Sequence, residues 1–404
     1  MGAGTATIEL EMLRYCTAAL ALLLALPVVA QDSPDARGLN HFYNLEYDQA
    51  LAEFEKAEQQ DAQAIGPHNH VAQTLLYREM YRSGALETQL VSGNNPFLRR
   101  KGLNPSPETE KRFNDEIQRA MDLANTRLAH NPTDTTALYG RGGAYGLRAN
   151  YEFLVRKAWH DALRDATSAR KDHNRVTELE PSNYDARFVQ GLHDYIVGSL
   201  PWQWKMLGFL IGFHGDKDKG LRTIEEVSHK GTNNRVDAEM LLCALYRREE
   251  KPKQAVPLLE DLLQRFPRNN LLLFEEAQMY SDLGNKDKAI GSIERIATMK
   301  KEGLPGFASV PWEKIYFHLG NIQFWYNDLD RALDNLTKVT TSHNEVDLNT
   351  GVLAWMRVGQ IYDMRNRRTE AIDAYRHAVA FAPEAEAAKE SRGYMSSPYR
   401  REKS

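Results

Sequence analysis

Residues 355–383 read WMRVGQIYDMRNRRTEAIDAYRHAVAFAP. Trp355, Gly359 and Tyr362 fall at helical spacing, as do Ala371, Tyr375 and Ala378 after a polar turn, and Pro383 closes the second series. Two such helices fold back on each other. A small residue at matching depth in each lets the backbones approach, aromatics fill the holes beside it, and the proline stops the second helix. The same offsets recur upstream. Cys243 and Tyr246 with Ala255, Leu259, Leu262 and Pro267 form one unit, and Ala277, Tyr280 and Gly284 with Ala289, Ile293 and Ile296 the next, with Ala255 and Ala289 34 residues apart. Tyr316 and Gly320 with Ala332, Leu336 and Val339 form another, delayed by KKEGLPGFASVP at 300–311.

Further upstream the pattern loosens. Gly38, Ala50, Phe54 and Ala57 mark a first hairpin. HNHVAQTLLYREMYR (68–82) and ETEKRFNDEIQRAMDLANTRLAHNP (108–132) read as the two helices of a second, separated by a Gly/Asn/Pro-rich loop. A third begins ALYGRGGAYGLRA (137–149) and ends with Ala169, Val176 and Pro181; a fourth begins NYDARFVQGLHDYIVG (183–198) and resumes at GLRTIEEV (220–227). Ser182 and Asp185 fit a capping box at its start. The offsets W-x3-G-x2-Y, then A-x3-F/Y-x2-A-x4-P, resemble the tetratricopeptide repeat. That resemblance implies an all-α, right-handed superhelical solenoid of about eight hairpins over residues 34–391, followed by a polar tail at 392–404.

Between the halves of the fourth hairpin lies SLPWQWKMLGFLIGFHGDKDKG (199–220). Its wording, at Gly212, Phe213, Gly215, Asp216, Gly220 and Leu221, is similar to a segment of the tetratricopeptide repeat protein 39 family, as are the inserts in hairpins two to four. Trp202, Phe209 and Phe213 share one helical face, with Trp204 beside it. Such a helix has three uses: packing on neighbouring hairpins, closing over a groove, or dipping into a membrane surface. The pattern favours packing.

Composition narrows the function. With 51 basic and 55 acidic residues in 404 the charge is near balance, and no basic block with interleaved aromatics marks a nucleic-acid surface. Tyr15–Val29 is an apolar run after Arg14 that ends in the small-residue pattern Val28-Val29-Ala30, which reads as a secretory signal over residues 1–30, with Met12 the better initiator. The expected location is periplasmic or secreted, in a bacterial envelope, the alternative being an uncleaved membrane anchor. Of the two cysteines, Cys16 falls in that segment and Cys243 on an apolar helix face, so no internal disulfide is expected.

No nucleophile–base pair, phosphate loop or paired Cys/His spacing stands out, and no cofactor or metal site is expected. Asp216 and Asp218 start like a calcium loop, but Gly220 and Val227 stand where ligands belong. His68 and His70 lie two apart, off a common helix face, with no third ligand nearby in sequence. What remains is the face formed by the first helix (A) of each hairpin. Arg247, Arg248, Phe274, Glu275, Gln278, Lys314, His318, Asn321, Trp325, Met356, Arg357 and Gln360 are expected along it. Amides and guanidinium suit a peptide backbone or carboxylate, and aromatics anchor side chains. Against chaperone-binding repeats that clamp a C-terminal carboxylate, Arg357 fits, but Phe274 and Leu353 stand where lysines belong. The sequence therefore points to a non-catalytic scaffold binding a protein or peptide, with a lipid-handling role for the 200–213 insert as the alternative.

Overall fold

The computed structural model describes residues 33–86, 103–199 and 214–401, so Trp202, Trp204, Phe209 and Phe213 lie outside the described residues. Among those described there is no strand. The described residues divide into two compact units, 33–79 with 103–175, and 80–86 with 176–199 and 214–401.

The first unit is built from α1 (Pro34–Tyr43), α2 (Tyr47–Gln60), α3 (Ile65–Arg82), α4 (Pro107–His130), α5 (Thr135–Tyr151) and most of α6 (Trp159–Leu179). A π-helical turn, Glu152–Arg156, joins α5 to the stretch before α6. The second unit holds α7 (Arg187–Gly198), α8 (Lys217–Lys230), α9 (Arg235–Arg248), α10 (Pro252–Arg265), α11 (Asn270–Asp282) and α12 (Lys286–Lys301). It continues with α13 (Trp312–Trp325), α14 (Leu329–Thr340), α15 (Leu348–Met364), α16 (Arg368–Phe381) and α17 (Glu386–Ser396). From α7 to α17 each helix packs on the next, as α1 does on α2 and α4 on α5, and α11 with α13 and α13 with α15 also touch. α11, α13 and α15 therefore form a continuous layer of A helices.

The small-residue positions act as the spacing requires. A Cβ on Gly359 would sit 2.4 Å from the ring of Tyr375, which is fully buried, and one on Gly38 would sit 2.5 Å from the ring of Phe54. Helix ends follow from local chemistry. Ser106, Asp134, Asp216, Asn269 and Asp347 each accept backbone N–H bonds at the start of a helix. At the A-to-B turns, Leu45, Glu250, Gly284, Asn327 and Asn366 have φ between 55° and 76°. The next N–H then reaches five residues back, as Glu46 to His41 (2.9 Å), Lys251 to Tyr246 (2.7 Å) and Arg367 to Tyr362 (2.8 Å). This left-handed closure satisfies carbonyls that the helix end would orphan.

Two sequence expectations are corrected. Asp185 does not cap α7: its carboxylate accepts from Thr232 N (3.0 Å), Thr232 Oγ1 (2.8 Å) and Asn234 N (2.9 Å), binding the loop before α9. A buried carboxylate is worth more to three loop donors than to one helix end. Residues 392–401, read as a tail, carry the end of α17 and then pack back, with Tyr399 against the core of the seventh and eighth hairpins. None of the described helices is long and apolar enough to cross a membrane.

Candidate functional site

In the second unit the small residues Ala277, Gly320 and Gly359 set a common register on α11, α13 and α15. One residue after each stands an amide, Gln278, Asn321 or Gln360; two residues before each stands a polar group, Glu275, His318 or Arg357. Adjacent A helices turn this register into a ladder.

At its near end Arg247 Nη1 lies 3.3 Å from Glu275 Oε2, and the Phe274 and His318 rings are 4.5 Å apart with Lys314 Nζ 5.2 Å from the Phe274 centroid. His318 is buried; burial, then the nearby Lys314 and Arg247 charges, lower its pKa to about 3, so it is a neutral ring. At the far end Arg357 donates from Nε to Asn321 Oδ1 (3.0 Å) and from Nη1 to Gln360 Oε1 (2.7 Å). Its guanidinium lies 4.8 Å from the Phe324 centroid and 4.7 Å from that of Trp325. Burial lowers the Arg357 pKa, and neighbouring Arg401 adds to the fall.

Arg401 comes from the segment after α17. Its guanidinium is 4.5 Å from the Phe324 centroid, and Nη2 donates to the Phe324 carbonyl (2.6 Å). The segment is anchored by Asp363, almost wholly buried, which accepts from Arg368 Nη1 (2.9 Å), the Tyr375 hydroxyl (2.9 Å) and Tyr399 N (2.8 Å). Two guanidiniums thus share one aromatic platform, their described hydrogen bonds going to amide and carbonyl oxygens. Trp325 beside them is 51% exposed. Cations thus stack on an exposed indole, and among the described residues no carboxylate makes an ion pair with Arg357 or Arg401; such groups can meet an anion or an amide.

The expected face is thus partly assembled. Arg247, Gln278, Lys314, Asn321 and Arg357 are partly accessible and Arg248 and Trp325 exposed, while Phe274, Glu275, His318 and Gln360 lie buried beneath them. Met356 is corrected: it is 3% exposed and packs with Ala371 and Tyr375, because its position on α15 faces α16, the second helix of its own hairpin. Arg248 stands apart from the ladder, 5.9 Å from the Tyr195 ring. Sequence reading missed Arg401, whose role arises from the fold-back of residues 397–401. It also missed a cluster in the first unit, where His68 meets Glu58 and Glu116. His70, two residues on, pairs instead with Asp35 at 2.8 Å.

Comparison with known proteins agrees with the repeat spacing. A family model described as Iml2/Tetratricopeptide repeat protein 39 matches residues 197–340. A Drosophila melanogaster BBSome complex member BBS4 homolog is 21% identical over 152 residues, 38% of this chain and 29% of that protein. Among solved structures, the APC/C hetero-tetramer Cut9-Hcn1 gives a TM-score of 0.49 at 12% identity, covering 94% of this chain and 58% of that one. Yeast Tom70 gives 0.39 at 11% identity (96% and 93%), and the human IFIT1 dimer with m7Gppp-AAAA gives 0.44 at 15% (91% and 86%). The chain spans less than a third of its curated relative's length and just over half of the Cut9 chain's. It is an all-α hairpin-repeat protein that resembles the tetratricopeptide repeat proteins, and over residues 197–340 it matches tetratricopeptide repeat protein 39.

Proposed function

We propose that this chain is an exported, non-catalytic adaptor that holds an extended segment of another protein along the A-helix layer of its second unit. The observation that carries the reading is the ladder ending in Arg357 and Trp325. There a guanidinium held by two side-chain amides lies against an exposed indole. A peptide offers what such groups accept: backbone carbonyls and amides for Asn321 and Gln278, and a carboxylate or acidic side chain for Arg357 and Arg401. The near-balanced charge favours a protein segment over nucleic acid. The Drosophila relative is by its name a member of a protein complex, which accords with an assembly role. The apolar run before Gln31 is read as the export signal.

The test is site-specific photocrosslinking of the full chain in its native cells. A benzophenone side chain at Trp325 is expected to capture a discrete protein, and Arg357→Glu in the same chain to abolish capture. The same probe at Trp159, exposed in the first unit, serves as the control. Equal capture at both positions, or capture indifferent to Arg357→Glu, would contradict the reading.

A further inference from the structure

His68 lies in the first turn of α3, nine-tenths buried. Its Nδ1 is 2.8 Å from Glu116 Oε2 on α4 and 3.1 Å from Glu58 Oε1 on α2. A ring nitrogen carries at most one hydrogen, and the hydrogen bond goes to Glu116. Glu58 Oε1 is buried, faces the same nitrogen and has no hydrogen-bond partner; Nε2 of His68 is buried and likewise unsatisfied. An unmet buried carboxylate oxygen is costly, because it has lost water without gaining a donor. One proton cannot serve two acceptors.

A metal ion can. The three donor atoms lie within 4.8 Å of one another, supplied by three successive helices. We propose that Glu58, His68 and Glu116 form a binding site for a divalent transition-metal ion of the zinc class. One imidazole nitrogen and two carboxylates make a borderline donor set that suits zinc, cobalt or manganese, and the two negative charges balance the ion. Metal–ligand bonds of about 2.0–2.2 Å place the donors of a tetrahedral site roughly 3.3–3.5 Å apart. The observed 2.8 and 3.1 Å separations reach that geometry by widening about 0.5–0.7 and 0.2–0.4 Å respectively. Water completes the coordination. The ion would staple α2, α3 and α4 together, across the long connection between α3 and α4. His70 provides an internal contrast, since it points to Asp35 alone.

The experiment uses the full chain after exposure to a chelator and its removal. Zinc is titrated by calorimetry and cobalt by visible absorption, and thermal unfolding is followed with and without zinc. One equivalent of zinc is expected to bind in the micromolar range or tighter, with tetrahedral cobalt bands and a midpoint several degrees higher. Glu58→Gln and Glu116→Gln, which keep the side-chain shape, are each expected to weaken zinc by about tenfold or more. Glu58→Gln leaves the His68–Glu116 hydrogen bond intact and so remains informative if Glu116→Gln does not fold. His70→Gln should leave affinity unchanged. Absence of zinc and cobalt binding, or binding indifferent to both glutamate substitutions, overturns the proposal.

Discussion

A buried histidine sits on an A helix of each unit, His68 in the first turn of α3 and His318 midway along α13, and their neighbours are opposite. In the first unit His68 stands between Glu58 and Glu116; burial pulls its pKa down, but those carboxylates outweigh burial and raise it to about 9. In the second unit His318 stands near Lys314 and Arg247, and burial and those cations together hold it at about 3. One hairpin rule therefore builds two electrostatic environments, one that gathers a cation and one that presents cations. The difference comes from which residues the repeat leaves unconstrained, and that is where function is read.

Breaking the second environment at its anchor should have the largest effect. Asp363→Ala leaves Arg368, Tyr375 and the Tyr399 N–H without their shared acceptor. A loss of about 3 kcal/mol is expected, confined to the last hairpin because repeats unfold by neighbours. Hydrogen exchange in α15 to α17 measures it; unchanged protection would show that residues 397–401 are held some other way.

Acid and base sharpen the contrast itself. His318 is neutral when folded and has the ordinary value of about 6.5 when unfolded, so stability is lost as pH falls below about 6.5, by about 2 kcal/mol at pH 5. His68 has the opposite sign: in metal-free buffer its contribution is complete below about 6.5 and is lost as pH rises through about 9. Chemical unfolding across pH should show the acid limb roughly halved in His318→Phe, the remainder coming from His173, which burial holds at about 4, and the alkaline limb removed in His68→Gln. A His318→Phe chain that keeps the acid limb undiminished would assign that limb elsewhere.

The shared architecture should respond alike in both units. Gly38→Ala and Gly359→Ala each drive a methyl into an aromatic ring of the partner helix, at an expected 1–3 kcal/mol in urea unfolding. If only one destabilises, the small-residue rule does not hold across the chain. Smallest is the turn: Leu45→Gly should stabilise by about 0.5–1 kcal/mol, and Gly284→Ala destabilise by about 1 kcal/mol, since both positions are left-handed. Thermal midpoints moving together, in either direction, would contradict that account.

The fold was legible where packing forces a residue type. Gly320, Gly359, Ala255 and Ala289 are small because a helix crosses there, and such positions repeat. The site was only half legible. Register brings Asn321, Trp325 and Arg357 together, yet the same count put core residue Met356 on that face, since the count does not say which flank of α15 its partner α16 covers. His68 looked solitary because its partners lie 10 and 48 residues away, joined only when three helices pack. Leu45 and Glu250 hide the turn motif, lacking the glycine that would announce it.

The central claim is that the A-helix layer of the second unit binds a protein segment. Peptides selected from a random display library on the full chain test it most directly, with hydrogen exchange mapping the complex. The account predicts selected peptides rich in acidic or C-terminal carboxylate groups, protection in α11, α13 and α15, and about thirtyfold weaker binding in Arg357→Glu, roughly 2 kcal/mol. Protection confined to the first unit, or affinity unchanged by Arg357→Glu, would contradict it.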